Sequence, residues 1–363
     1  MTHYEERLQA DLTAIRGKVV ELGEHLDGAI ADAVRSLLRR DHALAAKTIL
    51  GDLPVNRASR LIDAMCHRFV ARHLPSAGIL RFVSAVLRIS TALERIGDYA
   101  VSIAREAVQQ KHDPPEVVAG NLQVFSEQAR GMLAQAIRAF GTQSADLARG
   151  TMVMESQADR VYRKIYRDLV AEGERQMLGI RELFGLLIAF YRLERITDQA
   201  KNLCEETVFA VTGEVKAPKV YRILFVDERN TGGSLMAQAI ARKAFPESGH
   251  YWSAGWSPVA AVDPGFVAFM DRHGHDAREM RPAALDPSFE ALQQFHVIVA
   301  LSPGAETHIP DIPYSTVLLD WSADVAESGP VGKFEDSDRE ELYRRLAVRV
   351  RELMETLRGE GAC

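Results

Sequence analysis

The chain has 363 residues, of which 47% are hydrophobic and 26% charged, and a formal net charge of −6. This balance excludes a wholly disordered chain, a collagen-like chain and a disulfide-built miniprotein, and no apolar run approaches the ~18 residues that a membrane span needs. At ~100–200 residues per domain, two or three domains are expected. Charge is unevenly spread: residues 1–216 carry 29 Lys+Arg and 28 Asp+Glu, and residues 217–363 carry 15 and 22. Neither part is strongly basic, so no nucleic-acid partner is expected. The start, Met1-Thr2-His3-Tyr4-Glu5-Glu6-Arg7, lacks the apolar core of a signal peptide. Cys66, Cys204 and Cys363 lie far apart and form no CxxC pair. A reducing, cytoplasmic compartment is the expectation.

From the start to about residue 212, strand signals are nearly missing. Leu8, Leu12, Ile15, Val19, Leu22, Leu26, Ile30, Val34 and Leu37 recur at steps of three or four, which predicts one long amphipathic helix. The same spacing predicts helices over 57–73, 77–108, 116–140, 144–171 and 180–211, with breaks near 41–56, 74–76, 111–115, 141–143 and 173–179. Residues 213–219, Gly213-Glu214-Val215-Lys216-Ala217-Pro218-Lys219, carry both breakers and read as a linker. Beyond it the pattern changes. Tyr221–Val226 is a compact apolar run that predicts a buried parallel strand, followed by a Gly-containing turn and a helix from Leu235 to Phe245. Further strands are predicted at His250–Ser253, His296–Leu301 and Ser315–Leu319, with helices at 263–273 and 336–358. Strands alternating with helices imply an α/β domain with a parallel sheet over 220–363.

The helical part repeats itself. Leu93-Glu94-Arg95-Ile96-Gly97-Asp98 recurs as Leu193-Glu194-Arg195-Ile196-Thr197-Asp198, and Asp52…Asn56 is answered by Glu155…Asp159. This reads as two copies of a three-helix unit, about 1–110 and 115–212. Residues four apart share a helix face, so Glu94 with Asp98, and Glu194 with Asp198, project paired carboxylates. Such pairs repel without a cation, and carboxylates converging between helices hold iron- or manganese-type ions. Asp52 with Asn56 is the weaker set, since Asn56 stands where an acid would bind better. The plain alternative is that Arg95 and Arg195 neutralise these acids.

These residues resemble the PhoU family, the regulators of bacterial phosphate uptake. Arg7…Asp11-Leu12, Leu22-Gly23, Asp41…Leu44-Ala45, Asp52…Asn56, Pro75 and Glu94-Arg95-Ile96-Gly97-Asp98-Tyr99-Ala100 follow in the family's order over about 1–212. The resemblance implies tandem three-helix bundles binding transition metal (iron, manganese or zinc, in multinuclear clusters) at Asp52, Asn56, Glu94, Asp98, Glu155, Asp159, Glu194 and Asp198. It also implies a homodimer that links a phosphate ABC transporter ATPase to a sensor histidine kinase as a negative regulator, with no membrane insertion.

The remainder is similar to the low-molecular-weight tyrosine phosphatase and arsenate reductase family. Val226-Asp227-Glu228-Arg229-Asn230-Thr231-Gly232-Gly233-Ser234 stands where the family has V-C-x-x-N-x-x-R-S, with Met236-Ala237, Ser253-Ala254-Gly255 and Phe295–Leu301 in its order. Asp227 replaces the nucleophilic cysteine and Gly233 the phosphate-gripping arginine, while Asn230 and Ser234 persist. The family's chemistry needs a thiolate to attack phosphorus and a guanidinium to hold the phosphate oxygens. A pseudo-phosphatase without catalytic residues is expected, with Asp227 itself a candidate occupant of the anion site. The segment Trp321-Ser322-Ala323-Asp324-Val325 keeps an aspartate but lacks the family's Asp-Pro pair. The competing reading is a phosphatase or arsenate reductase-type enzyme using Asp227 or another non-cysteine group. A dehalogenase-type D-x-D fails at Arg229, and a receiver-type acidic site lacks its later aspartate at Val299-Ala300-Leu301-Ser302. His273 and His275 around Gly274 read as a helix-end turn, Pro303-Gly304 and Asp263-Pro264 as turns or helix starts, and Trp252 and Trp256 as packing residues.

Overall fold

The computed structural model describes residues 3–175, 179–216, 218–276, 280–323 and 336–359, except for the side chains of 156–160, 163 and 164. The chain divides into two compact units, Met1–Lys216 and Ala217–Cys363.

Among the described residues the elements of the first unit are all helices: α1 His3–Arg39, α2 His42–Leu50, α3 Asp52–His73, α4 Ala77–Gln109, α5 Glu116–Gly141, α6 Ala145–Met152, α7 Glu155–Glu174 and α8 Ile180–Thr212. The stripe of α1 is buried as its spacing requires, from Leu12 through Ile15, Val19, Leu22, Leu26 and Ile30 to Leu37. α1, α4, α5 and α8 pack together at the centre; α2 and α3 flank α4, and α6 and α7 flank α8. Phe82 stacks on Phe140 at 5.8 Å and so joins the two repeats inside one core, while Phe125 lies 6.4 Å from Phe190 within the second repeat. The Arg130 guanidinium donates twice to Asp27, at 2.9 and 2.7 Å, and pins α5 to α1.

The three long helices expected in each repeat are present, but each repeat also has a short helix between its first two. The segment read as a break near 41–56 holds α2 and the first turn of α3, and the stripe over 144–171 is divided into α6 and α7. The reason is capping. The Asp41 carboxylate accepts from the Leu44 amide at 2.9 Å, and Ser144 accepts from the Leu147 amide at 3.2 Å. A side chain that satisfies an otherwise unpaired first-turn amide starts a helix too short to show a periodic stripe. At the far end, Gly213 closes α8 in the left-handed region at φ 81°.

The second unit comprises β1 Tyr221–Asp227, α9 Gly233–Ala244, β2 Gly249–Gly255, α10 Pro264–Arg272, α11 Phe289–Leu292, β3 Val297–Ala300, α12 Ala305–His308, β4 Val317–Asp320 and α13 Asp336–Arg358. The sheet is parallel in the order β2-β1-β3-β4. Its two faces follow strand alternation. Ile223 and Phe225, with Val297 and Val299, pack against α9, α10 and α13; Leu224 and Val226, with Ile298 and Ala300, pack on the other side with Leu292, Phe295 and Ile309. β4 begins two residues later than its apolar run suggested, and α11 and α12 are too brief to leave a pattern. Asp263 caps α10 ahead of Pro264, Gly304 sits at φ 85°, and His273 and His275 occupy the turn after α10, all as their residue types indicated.

Gly23 sets the approach of α1 to α5: a Cβ there would lie 2.3 Å from Ile137 Cδ1 and 2.5 Å from its Cγ1. Gly23→Ala is expected to destabilise the chain by about 1–3 kcal/mol, as overpacked cores do. Adding Ile137→Ala should relieve the clash and recover part of the loss relative to the two single changes summed. Denaturant unfolding followed by helical circular dichroism measures both; strict additivity would show that this contact is not the cause.

Candidate functional site

In the first repeat, Asp52 occupies the first turn of α3 and Asn56 lies one turn on. Asn56 Nδ2 donates to Asp52 Oδ2 at 2.9 Å, while Asp52 Oδ1 is buried with no hydrogen-bond partner among the described residues. Asp98, on α4, is close enough to feel that charge. Its side chain is exposed, yet loss of solvation beside the neighbouring helices first, then Asp52, raise its carboxyl above the usual aspartate range, against Arg105 and Arg192. Gly97 makes the approach possible: a Cβ there would stand 2.9 Å from Val55 Cγ1 of α3. Glu94, half-buried, precedes Asp98 by one turn on the same helix. The orphaned oxygen of Asp52, with Asp98 near enough to feel its charge, is what this repeat would offer a hard cation.

The second repeat is arranged differently. Glu194 is only 7% exposed. Arg195 donates to both of its oxygens, at 2.6 and 2.7 Å, and the same guanidinium lies 3.0 Å from Asp198. Arg195 also sits over the Tyr191 ring, and the Glu194 hydrogen bond raises the guanidinium beyond its already high range. Glu155 pairs with Lys201 at 3.1 Å. The Asp159 side chain lies outside the described residues. Among the described residues the acids of the first repeat are the less compensated, which leaves the relative strength of the Asn56-containing set as a metal site an expectation. Among the described residues, no three His, Cys, Asp or Glu side chains are gathered closely enough to hold a metal ion. Sequence reasoning missed the parts played by Lys201 and Arg192; Lys201 stands one helical turn from Asp198 and Glu205, whereas Arg192 has no acid at that spacing and left no such signal.

In the second unit, β1 delivers Asp227 to the start of a tight loop leading into α9. Asp227, Asn230 and Ser234 are all buried. Asp227 Oδ1 accepts from the Asn230 amide at 2.5 Å, and Oδ2 accepts from the Ser234 amide at 2.9 Å and its hydroxyl at 2.6 Å. Burial raises the Asp227 carboxyl above its ordinary range, opposed by the Ser234 hydroxyl and the loop amides. Asn230 is left-handed at φ 50°; its side chain donates to Ser234 Oγ at 2.8 Å and accepts from the Ala283 amide at 2.8 Å. Gly233 opens α9 and offers no cation to the loop. Beside Asp227 lies a cleft of about 280 Å³ whose walls include Met236, Val259, Phe266 and Leu342, with Arg229 and Arg339 among its polar residues. Asp324, from the segment that keeps an aspartate, lies outside the described residues. Trp252 packs edge-on against Phe295 and Trp256 stacks on His308, consistent with packing roles. Cys66 and Cys204 are buried, which pushes both thiols up to about 12 and leaves them protonated near neutral pH.

With this geometry in place, known proteins can be set beside it. The PhoU domain model matches residues 19–107 and 122–207, one span in each repeat. A phosphate-specific transport system accessory protein PhoU homolog of Pseudomonas putida is 32% identical over 215 residues, covering 58% of this chain and 83% of that protein. The chain belongs to the PhoU family. The crystal structure of PhoU from Pseudomonas aeruginosa is similar at 30% identity and a TM-score of 0.54, over 57% of this chain and 99% of that one. In the C-terminal part the chain is similar to the tyrosine phosphatase Wzb from Escherichia coli K30, at 16% identity and a TM-score of 0.33, over 38% of this chain and 99% of that one. No described helix of this PhoU-family chain is long and apolar enough to cross a membrane.

The loop depends on Gly255, which pairs with Asp227 in the sheet register. A Cβ at Gly255 would lie 2.8 Å from both the Asn230 amide nitrogen and the Glu228 carbonyl oxygen. These are backbone atoms that cannot swing aside. Gly255→Ala is expected to lower the unfolding midpoint of the second unit, whose Trp252, Trp256 and Trp321 are the only tryptophans of the chain. An unchanged tryptophan-fluorescence transition would contradict this account of the loop.

Proposed function

We propose that the chain is a cytoplasmic, metal-binding regulator of phosphate uptake and phosphate signalling. In this reading it works as a homodimeric adaptor between a phosphate ABC transporter ATPase and a sensor histidine kinase, and its effect is negative. The observation that carries it is the match of the helical unit to most of the length of a phosphate-transport accessory protein. Cells that lack the chain are expected to express phosphate-starvation genes in phosphate-rich medium, and the intact chain should restore repression. Repression that persists without the chain would overturn the regulatory role.

The metal belongs with the acidic motifs: Asp52, Glu94 and Asp98 in the first repeat, and Glu155, Asp159, Glu194 and Asp198 in the second. Iron, manganese or zinc would supply positive charge where Asp52 and Asp98 now oppose each other. The carboxylates hold and orient it, and Asn56 steadies Asp52 through its hydrogen bond. Protein purified without chelator should contain transition metal by elemental analysis. Asp52→Ala combined with Asp98→Ala should lose most of the first-repeat metal while the helical signal is retained. Full metal content in that variant would remove Asp52 and Asp98 from the ligand set.

The second unit is read as a non-catalytic module. Asp227 is buried and held by loop donors on both oxygens, and Gly233 stands where a cation would be needed to hold a phosphate against it.

A further inference from the structure

The loop between β1 and α9 gathers donors on one buried point. Two backbone amides, from Asn230 and Ser234, and one hydroxyl, from Ser234, converge there. Ser234 lies in the first turn of α9, where amides have no intrahelical partner and the helix dipole favours negative charge. The surroundings hold this arrangement firmly. Asn230 bridges Ser234 and the Ala283 amide, the Ser257 amide donates to the Glu228 carbonyl at 2.8 Å, and the Val259 amide to the Arg229 carbonyl at 3.2 Å.

The charge at the focus of these donors comes from the chain itself. Asp227 is the last residue of β1, and its carboxylate turns into the loop to take all three donors. A tetrahedral oxyanion entering the loop would need those same donors. It would also meet a fixed carboxylate in a poorly solvated place, where like charges repel far more strongly than in water. Gly233 provides no countercharge, Arg339 is already engaged with Asp263 at 2.6 Å and Asp336 at 3.3 Å, and Arg229, the cleft's other arginine, is solvent-exposed, where a single ion pair is worth little.

We infer that Asp227 is a tethered substitute for a bound oxyanion: it keeps the loop permanently in an anion-loaded shape and closes the adjoining cleft to phosphate and phosphorylated groups. The inference rests on the reading of the second unit as non-catalytic. It follows that any response of the chain to phosphate does not run through this loop, and that what remains beside the seat is a largely apolar cleft.

The test uses the full chain and inorganic phosphate, read by tryptophan fluorescence. All three tryptophans lie in the second unit, and Trp321 stands 6.3 Å from Phe225 of β1. The unfolding midpoint of the wild-type chain should rise with phosphate no more than the unsaturable, linear salting-out action of that anion requires. Asp227→Ser should unfold earlier, and phosphate should raise its midpoint by several degrees with a saturable dose dependence, because a ligand that binds only the folded state stabilises it by mass action. Saturable stabilisation of the wild-type chain by phosphate, or a folded Asp227→Ser chain indifferent to phosphate, would overturn the inference. If Asp227→Ser does not fold, amide exchange in the wild-type chain decides. Slow exchange at Asn230 and Ser234 without ligand, unaltered by phosphate, supports the substitute; fast exchange that phosphate slows overturns it. Phosphate binding without turnover of an aryl phosphate would overturn this inference alone, whereas turnover would overturn the non-catalytic reading as well.

Discussion

A carboxylate withdrawn from water must find a cation or a set of hydrogen-bond donors, and the cost of leaving it without either is several kcal/mol. This chain meets that demand in three ways. In the second repeat the answer is a neighbouring side chain: Arg195 forks onto Glu194 and reaches Asp198, and Lys201 takes Glu155. In the second unit it is backbone: Asp227 is held by two amides and a hydroxyl. In the first repeat the demand is only partly met, since Asn56 satisfies one oxygen of Asp52 while the other is buried without a partner and Asp98 adds a second charge nearby.

Each arrangement depends on how closely the backbone can approach. Gly97 brings α4 against Val55 of α3, which sets Asp98 in range of Asp52. In the second repeat Thr197 stands at the corresponding place in the motif, buried and donating to the Glu194 carbonyl at 2.7 Å. The two repeats share helices and motif, and a difference in side-chain bulk and pairing separates their electrostatics. Gly255 plays the equivalent part in the second unit, where only a residue without Cβ admits the Asn230 amide and the Glu228 carbonyl.

The long elements were legible because their signals are long. A stripe running from Leu8 to Leu37 has one helical solution, and Tyr221–Val226 flanked by turn residues has one strand solution. The short helices α2 and α6 were not legible from periodicity. They exist because of the Asp41 and Ser144 caps, and a cap is a single residue whose alternatives as a turn or loop are equally good on paper. The acidic motifs were legible as spacing, but their state was not. Arg95 and Arg195 occupy the same place in the repeated motif, yet only Arg195 is seen closing on its own glutamate among the described residues. That outcome rests on side-chain direction and on Tyr191 beneath the guanidinium, which spacing does not encode. For Asp227 the substitution was visible at once, and its three donors required the folded loop.

Charge counted along the sequence and charge counted at sites therefore describe different things. The helical unit is nearly neutral in sum, 29 basic against 28 acidic residues, yet within its first repeat Asp98 of α4 lies close enough to Asp52 of α3 for their charges to oppose. The second unit is strongly acidic in sum, and its buried acid is nevertheless surrounded by donors. A net charge governs solubility and long-range attraction. Ion binding is decided over a few ångströms, by which oxygens still lack a donor. By that measure the nearly neutral unit keeps a buried carboxylate oxygen without a donor among the described residues, and the acidic unit has its buried acid supplied with donors on both oxygens.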